Sequence, residues 1–482
     1  MTQSEYREKL DKIALEAAHE LENYGKLSVM QKLKRTAKQV LGRSVAKSDP
    51  MFWPAGMLMM GLAEYWKYAA GDFADDGSAD AVQSKDLSSS STLQEVQKVL
   101  VSHIDNWMDS GCELQNIDDV LSGCAILDVY KLTGNVRYLD AADAMGEYAL
   151  KAPKDRTGAV IYRPGRAHDY VFADGVGMMA MFLSKYAEVV NGLEEAGKNC
   201  RFDHKVSDGC DTAGSYDGRA KQARAALSEA LAQLEIYHKY GFDKTTGLPA
   251  HGYEAENLSG SSYESSEAEV NTGGRVFGES RISVVQKGFP GWGRAVGWYL
   301  GGYCEYCRAS HGRPGFLEED IFFRLVESCR KKDGSFPWLL TEKNGESDIS
   351  ATAMISAAEM NLGTDIDRCS HHQSGTANQC DHHQTGTANR CDHHQSGMTN
   401  QCDHHQTGTA NRCEYQQSGT AECQPGANTG HNMTTELILK NTDADGRVGQ
   451  TLAECLDFGN HPQVYGNYPW GQGAALIYLC SC

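Results

Sequence analysis

The chain has 482 residues, with 45 lysines and arginines against 64 aspartates and glutamates, which gives a formal net charge of −19. So acidic a chain is a poor candidate for binding nucleic acid or an anionic membrane surface, and we expect neither partner. No apolar run is long enough to span a bilayer. The N-terminal stretch predicts a charged amphipathic helix without a signal-peptide core, so we expect a cytoplasmic protein.

Cysteine usage also bears on the compartment. Of the 16 cysteines, six belong to one repeated segment and the other ten are scattered, several of them inside helical patterns. In a reducing compartment we expect these ten to be free thiols.

The hydrophobic pattern is helical nearly throughout. After an N-terminal helix we predict helical segments at 28–41, 50–70, 92–109, 116–134, 136–150, 170–191, 215–239, 290–310, 316–331, 348–362, 446–457 and 469–481. Segments rich in Gly, Ala, Met and aromatic residues, which suit burial on all sides, alternate with segments that carry more charge. This alternation predicts an all-α fold, an (α/α)6 barrel of six inner and six outer helices, with residues 1–482 as a single domain.

Three connections are long, at 199–218, 257–288 and 365–430, and the third is an insertion built from an 11-residue repeat with units such as HHQTGTANRCD. Three interpretations of the repeat at 369–423 remain open: a disordered product of duplication, an ordered stack used for self-association, or a metal site of thiolates and imidazoles. The spacing lacks the Cys-x-x-Cys pairs of common metal sites, which counts against the metal interpretation without closing it. Because the insertion follows the C-terminal end of the helix at 348–362, we expect it on the face opposite the candidate site.

One carboxylate stands at the start of an otherwise apolar helix. Asp174 follows Phe172 and precedes Val176 and Met178. A carboxyl held against such neighbours loses water and resists ionisation, so it can keep a proton at neutral pH, as a general acid must. The alternative is that Asp174 only caps the helix, because Asp followed by Gly175 is favoured in that turn.

Other short stretches carry further candidate site residues. The run GWGRAVGWY contains Arg294 and Trp298, four residues apart and so on one helical face. The guanidinium can bind a carboxylate and the indole can pack on a sugar ring, although a structural Arg–Trp stack is an alternative. His251 lies in the loop GLPAHG, where a solvated histidine is the plainer interpretation. Asp118 and Asp348 each open a predicted inner helix.

These positions share one feature of the predicted barrel. Asp118, Asp174, Arg294 and Asp348 all lie at or near N-terminal ends of inner helices. In an alternating barrel these ends share one mouth, where unpaired backbone N–H groups favour an anion. A negatively charged sugar acid is therefore the kind of ligand that this mouth suits.

The motifs also carry a family resemblance. The runs RTGAVIYRPGRAHDYVFADGVGMM, TTGLPAHGY, GWGRAVGWY, DGSFPWL with SDISATAM, and YPWGQGAALIYL occur in that order. Together they resemble the unsaturated rhamnogalacturonyl hydrolases of glycoside hydrolase family 105 and, more distantly, the unsaturated glucuronyl hydrolases of family 88. The resemblance covers most of residues 50–362 and the last helix. The repeat has no counterpart in the family, and residues 431–457 match only loosely.

The resemblance implies a glycosidase that removes the 4,5-unsaturated uronic acid from oligosaccharides left by a polysaccharide lyase, with pectin or rhamnogalacturonan fragments as the favoured substrates. Asp174 matches the family's acid/base aspartate, which protonates C4; water then adds at C5, and the hemiketal opens and releases the next sugar. Asp118 matches the second acidic position. No metal ion and no cofactor are implied. The predicted substrate-binding residues are His251, Trp292, Arg294, Trp298 and Asp348.

A second hypothesis belongs to a different class of protein. In it the barrel is mainly a binding or self-assembly protein, and the repeat at 369–423 is the interaction element. Large particles that shrink when this segment is removed favour this hypothesis, whereas loss of the double-bond absorbance of lyase products favours the enzyme.

Overall fold

The computed structural model describes residues 1–26, 49–71, 91–203, 213–256, 282–374 and 427–482. In these ranges the chain forms twelve α-helices and five short strands, and a 3₁₀ helix at Ile117–Leu121 leads into α4. The helices, numbered in chain order, are α1 (Gln3–Asn23), α2 (Trp53–Gly71), α3 (Ser91–Asp109), α4 (Ser122–Thr133), α5 (Val136–Leu150), α6 (Ala173–Asp203), α7 (Ala213–Gly241), α8 (Gly293–Ser310), α9 (Glu319–Glu327), α10 (Ile349–Ser374), α11 (Ala427–Lys440) and α12 (Pro469–Ser481).

The even-numbered helices form a closed ring. Each packs against the next along the chain, and α12 packs back against α2. The odd-numbered helices lie outside this ring; α7, for example, contacts both α6 and α8, and α1 contacts both α12 and α2. At the α1–α12 seam, the hydroxyl of Tyr6 donates to the carbonyl oxygen of Leu479 at 2.6 Å. The predicted (α/α)6 barrel is confirmed.

Small residues set the spacing of the inner ring. A side chain on Gly177 of α6 would overlap the carbonyl oxygen of Trp298 on α8, so only glycine lets these two helices approach so closely. The outer helices instead bury one face: α3 does so with Leu93, Val96, Leu100 and Ile104, at the spacing of a single helical stripe. Close packing on all sides therefore explains why the inner helices are rich in small and apolar residues, and burial of a single face explains why the outer helices carry more charge.

The outer ring differs from the prediction at its ends. The predicted helix at 446–457 is wrong, because this segment turns at Gly446 and Gln450, both with positive φ, and then forms strand β4 at Thr451–Leu452. Helices α1 and α11 occupy outer positions instead, and α11 was not among the predicted segments. The predicted helix at 28–41 lies outside the described residues.

Two small antiparallel sheets lie beside the N-terminal ends of the inner helices. Strands β1 (Tyr170–Phe172), β2 (Gly252–Ala255) and β3 (Val284–Lys287) form one sheet in that order, and β4 pairs with β5 (Tyr465–Gly466). Strand β3 falls within the connection 257–288, which is therefore not wholly a loop. Pairing of Phe172 with Gly252 brings the start of α6 beside His251, whose carbonyl oxygen accepts from Ala173 N–H at 3.0 Å.

The repeat falls almost wholly outside the described residues, so its three interpretations and the single-domain assignment stay predictions. The backbone of 365–374 continues α10, and the chain re-enters the described part at α11. None of the described helices is both long and apolar enough to cross a membrane. The side chains of eight of the ten cysteines outside the repeat are described, and each of the eight is a free thiol.

Candidate active site

A cavity of about 210 Å³ opens at the end of the barrel where the inner helices begin. Five of the seven predicted site residues line it: Asp174, His251, Trp292, Arg294 and Trp298. The structure thus brings together residues from three separate motifs. Its remaining lining residues are Trp53, Tyr162, Arg163, Tyr170, Phe172, Glu454, Cys455, Leu456, Asp457 and Phe458.

Asp174 has the environment expected of a proton donor. It is the second residue of α6, its side chain is 16% exposed, and its Oδ2 lies 3.9 Å from His251 Nε2. Its Oδ1 is buried without a hydrogen-bond partner. Burial raises the pKa of Asp174 to about 7; the charge of Arg294 opposes this rise, and that of Asp118 adds to it. The group therefore keeps a proton over part of the neutral range.

His251 is not the solvated loop histidine that the sequence allowed. Its side chain is 2% exposed and packs between Trp292, at 4.3 Å between ring centroids, and Phe172, at 5.1 Å. Burial, with help from the charges of His461 and Arg294, lowers the pKa of His251 to about 3. The imidazole is therefore neutral, and its Nδ1 has no hydrogen-bond partner. A neutral ring can offer either a donor or an acceptor to a bound sugar.

Asp118 lies behind the cavity wall and is hydrogen bonded to a tyrosine that lines the cavity. The Tyr162 hydroxyl donates to Asp118 Oδ2 at 2.6 Å, and the Tyr162 ring stacks on Phe172 with 4.4 Å between centroids. Asp118 is fully buried in the 3₁₀ helix, and its Oδ1 has no partner. Burial raises the pKa of Asp118 to about 6, against the lowering effects of the Tyr162 hydrogen bond and the charge of Arg163.

Arg294 and Asp348 hold the wall of the cavity together. Arg294 donates from Nη1 to the carbonyl oxygen of Leu452 at 2.7 Å and from Nη2 to that of Ala453 at 3.0 Å. Asp348 Oδ2 lies 3.9 Å from Arg294 Nη1, and Asp348 Oδ1 accepts from the N–H groups of Ser350 and Leu452. Asp348 is not on the cavity wall; it caps α10 and anchors β4. Its predicted contact with substrate is not favoured by this geometry.

The alternative interpretation, a structural stack of Arg294 on Trp298, is wrong in its partner. The guanidinium lies 4.9 Å from the ring centroid of Trp292 and 5.4 Å from that of Trp470. Trp298 instead meets Trp53 edge to face at 6.2 Å. The first residues of α2, α8 and α12 therefore approach one another at this end of the barrel, as expected for a shared mouth.

Sequence reasoning missed the wall contributed by residues 453–464. Within it, the Phe458 ring packs edge-on against Phe172 at 4.6 Å and against Tyr170 at 4.9 Å, and Cys455 Sγ lies 4.0 Å from His251 Nε2. The segment carries no recognised motif and was predicted in part as a helix. The only available signal was its turn composition, DFGNHP, which does not suit an outer helix.

A second cavity, of about 260 Å³, lies inside the barrel and shares Trp298 with the first. Its acidic groups are engaged: Asp128 accepts from Lys185 at 2.6 Å and lies 3.4 Å from Lys67. Burial alone would raise the pKa of Asp128, but the two lysines lower it. Asp128 therefore does not hold a proton at neutral pH, and the cavity at the mouth is the better candidate for acid catalysis.

Comparisons with known proteins bear on the family and the fold of this chain. The model of Glycosyl Hydrolase Family 88 matches residues 24–198. An unsaturated rhamnogalacturonyl hydrolase of Bacillus subtilis strain 168, YesR, is 24% identical over 344 residues, which are 69% of this chain and 77% of that protein. A crystal structure of a possible member of the GH105 family, from Klebsiella pneumoniae subsp. pneumoniae MGH 78578, aligns over 100% of this chain and 93% of that chain, with a TM-score of 0.57 and 13% identity. An unsaturated glucuronyl hydrolase of Bacillus sp. GL1 aligns over 90% of this chain and 87% of that chain, with a TM-score of 0.51 and 10% identity.

The family-model match and the curated relative give the class: the chain is a glycoside hydrolase, and the barrel with a carboxyl in its mouth agrees with that class. Within that class, its resemblance to the unsaturated rhamnogalacturonyl hydrolases of family 105, and more widely to family 88, is confirmed. The individual roles of the site residues remain predictions. Among the described residues no group of three or more His, Cys, Asp or Glu side chains is arranged to hold a metal ion.

Proposed function

We propose that this chain removes the 4,5-unsaturated uronic acid from the end of lyase-generated oligosaccharides, with fragments of rhamnogalacturonan type as the favoured substrates. The observation that carries the proposal is Asp174, a carboxyl in the mouth cavity with a raised pKa and an unpaired oxygen. YesR is named for this class of reaction, and its similarity to this chain supports the same assignment.

In the proposed reaction, Asp174 donates its proton to C4 of the ring double bond. Water adds at C5 and returns a proton to the Asp174 carboxylate, so the residue ends the step as it began. The product is a hemiketal, which opens by breaking the bond between C5 and the ring oxygen. The anomeric carbon, now a hemiacetal, releases the next sugar. No nucleophile attacks that carbon, so the spacing rule for paired carboxylates does not apply.

Asp118 supports the donor electrostatically. The Tyr162 hydrogen bond favours the ionised form of Asp118, whereas Asp174 Oδ1 has no hydrogen-bond partner, so Asp118 is the group of the pair that ionises first. The charge of Asp118 raises the pKa of Asp174 and opposes its ionisation. The same negative charge stabilises positive charge that develops at C5 after proton transfer. The Tyr162 hydroxyl fixes the orientation of Asp118.

The aromatic wall gives the sugar a surface to pack on. Trp292, Trp298 and Phe172 all line the cavity, and flat apolar rings of this kind suit the faces of sugars. Neutral His251 lies 3.9 Å from Asp174 and can hydrogen bond a ring hydroxyl next to the reacting carbon.

The test is to supply unsaturated disaccharides made by pectin lyases and by glycosaminoglycan lyases and to follow the loss of double-bond absorbance. Wild-type protein is expected to consume at least one of them. Asp174→Asn should lose nearly all turnover, because an amide cannot donate the proton. Asp169→Asn, an exposed change of the same kind five residues earlier, is the matched control and should retain activity. Full activity in Asp174→Asn would overturn the assignment.

Two narrower parts of the proposal concern the cell and the repeat. We place the enzyme in the cytoplasm, acting on imported fragments, which fractionation of the native host tests directly. We expect residues 369–423 to emerge away from the mouth, and self-association is one of the three roles that remain open for them. Deleting them should shrink the particle seen by light scattering and leave turnover largely unchanged, and a large loss of turnover in a folded deletion variant would refute that placement.

A further inference from the structure

The cavity mouth contains two arginines in different states, and the difference bears on which substrates the proposed function accepts. Arg294 is 1% exposed and already donates to two carbonyl oxygens. Arg163 is exposed, and its side chain has no hydrogen bond or ion pair with any described residue. Its guanidinium lies 5.3 Å from the ring centroid of Tyr162, where cation–π attraction holds it at the wall of the cavity.

A row of three aromatic rings begins at Tyr162, on which this arginine lies, and ends at the less buried Tyr170. Tyr162 stacks on Phe172 at 4.4 Å, and Phe172 stacks on Tyr170 at 6.3 Å. Tyr162 is buried and linked to Asp118, whereas Tyr170 is only half-buried and lies in the edge strand β1. Because these rings are stacked on one another, they present their edges to the cavity, and a second sugar next to the unsaturated ring can lie along these edges with its substituents within reach of Arg163.

The two arginines also differ in which of the site carboxyls Asp174 and Asp118 they act on. The carboxylate of the unsaturated ring is attached at C5 and so must lie close to C4, which Asp174 protonates. The cation whose charge acts on Asp174 is Arg294. The charge of Arg163 acts instead on Asp118, whereas at the rim both Arg294 and Arg163 oppose the rise in the pKa of Glu454 that burial causes. Unlike Arg294, Arg163 has N–H donors that no described residue accepts, so they remain available to a bound anion.

We propose that Arg163 binds an oxyanion group, a carboxylate or a sulfate, on the part of the substrate beyond the unsaturated ring. The planar guanidinium offers two parallel N–H donors to such a group. When the leaving sugar is neutral, the Arg163 guanidinium can hydrogen bond only to water. The inference rests on the proposed function and adds a preference for substrates with a second negative charge.

The experiment compares three substrates in the full-length protein: an unsaturated disaccharide with a neutral leaving sugar, one with a sulfated leaving sugar, and an unsaturated tetrasaccharide with a second uronate. The variants are Arg163→Gln, Arg163→Lys and, as a charge-matched control, Arg166→Gln, which removes a neighbouring exposed arginine outside the cavity lining. The measured quantity is kcat/KM for each substrate at low ionic strength.

Arg163→Gln is expected to lower the ratio of kcat/KM for a charged over the neutral substrate by about tenfold, a typical loss for a charge-assisted hydrogen bond at a partly exposed site. Arg163→Lys should restore part of the ratio, and Arg166→Gln should leave it unchanged. The substrate whose ratio falls identifies the anion as sulfate or carboxylate.

An equal fall for all three substrates would overturn the inference, because it would mean that Arg163 acts through Asp118 or on the unsaturated ring itself. An unchanged ratio in Arg163→Gln would overturn it as well. If the wild-type protein consumes none of the substrates, the proposed function itself fails and the inference fails with it. If the wild-type protein is active and Arg163→Gln has the same kcat/KM ratio as wild type, the inference fails while the proposed function stands.

Discussion

Replacing Asp174 by asparagine should stabilise the folded chain while it removes turnover. Burial raises the pKa of Asp174 from 3.8 to about 7. Unfolding returns the group to its ordinary value, so the stability present at low pH is lost as the pH rises through the window between these two values. A difference of about three pKa units corresponds to about 4 kcal/mol at and above pH 7, but to only about 1.7 kcal/mol near pH 5. An amide does not ionise and escapes this loss.

The assay is urea unfolding of both proteins near pH 5 and near pH 8, followed by tryptophan fluorescence. The advantage of Asp174→Asn over wild type should grow by about 2.5 kcal/mol between the two conditions. Asp169→Asn controls for the loss of one negative charge, because its side chain is exposed. If the advantage of Asp174→Asn were the same at both pH values, Asp174 would not be held protonated by burial and could not serve as the donor described.

Three further predictions concern the same end of the barrel. The kcat/KM of the wild type should fall about tenfold per pH unit above about pH 7, because the free enzyme loses the Asp174 proton; a flat profile to pH 9 would contradict this. Tyr162→Phe removes the hydroxyl that donates to Asp118 and should lower kcat roughly tenfold or more with little change in KM, whereas unchanged steady-state kinetics would remove Asp118 from the mechanism. Asp348→Ala removes the cap of α10 and the acceptor of Leu452 N–H, so it should cost about 2–4 kcal/mol in the free energy of unfolding and expose residues 453–464 to limited proteolysis; wild-type protease resistance would show that Asp348 does not anchor that wall.

The inner ring was accessible from sequence because its packing dictates composition. Helices buried on all sides need small and apolar residues throughout. The segments predicted to begin near 50, 116, 170, 290, 348 and 469 have this composition, and each corresponds to one of the even-numbered helices. Outer helices bury only one face, so a loop of similar mixed composition, such as 446–457, imitates them. The positive φ at Gln450 that breaks this segment belongs to a residue with no special preference for that conformation.

The site was predictable only where motifs carry it. Asp174, His251 and Arg294 stand in distinctive runs, and all three reach the cavity. The partners of Arg294, by contrast, are backbone carbonyls of residues 452 and 453, and a backbone acceptor leaves no mark on the sequence. The role of Asp348 behind the wall is hidden for the same reason, because its main partners are backbone N–H groups.

The seam between α1 and α12 joins parts of the chain that are far apart in sequence, since Tyr6 and Leu479 are 473 positions apart. Contacts of this range form late in folding, because the entropy of closing so long a loop must be overcome first. The segment after β4, which completes the wall around Asp174, precedes α12 directly. A chain in which α12 has not yet docked therefore has neither a closed ring nor a finished pocket, and this enzyme should gain its activity in one step, when that helix closes the ring, rather than gradually.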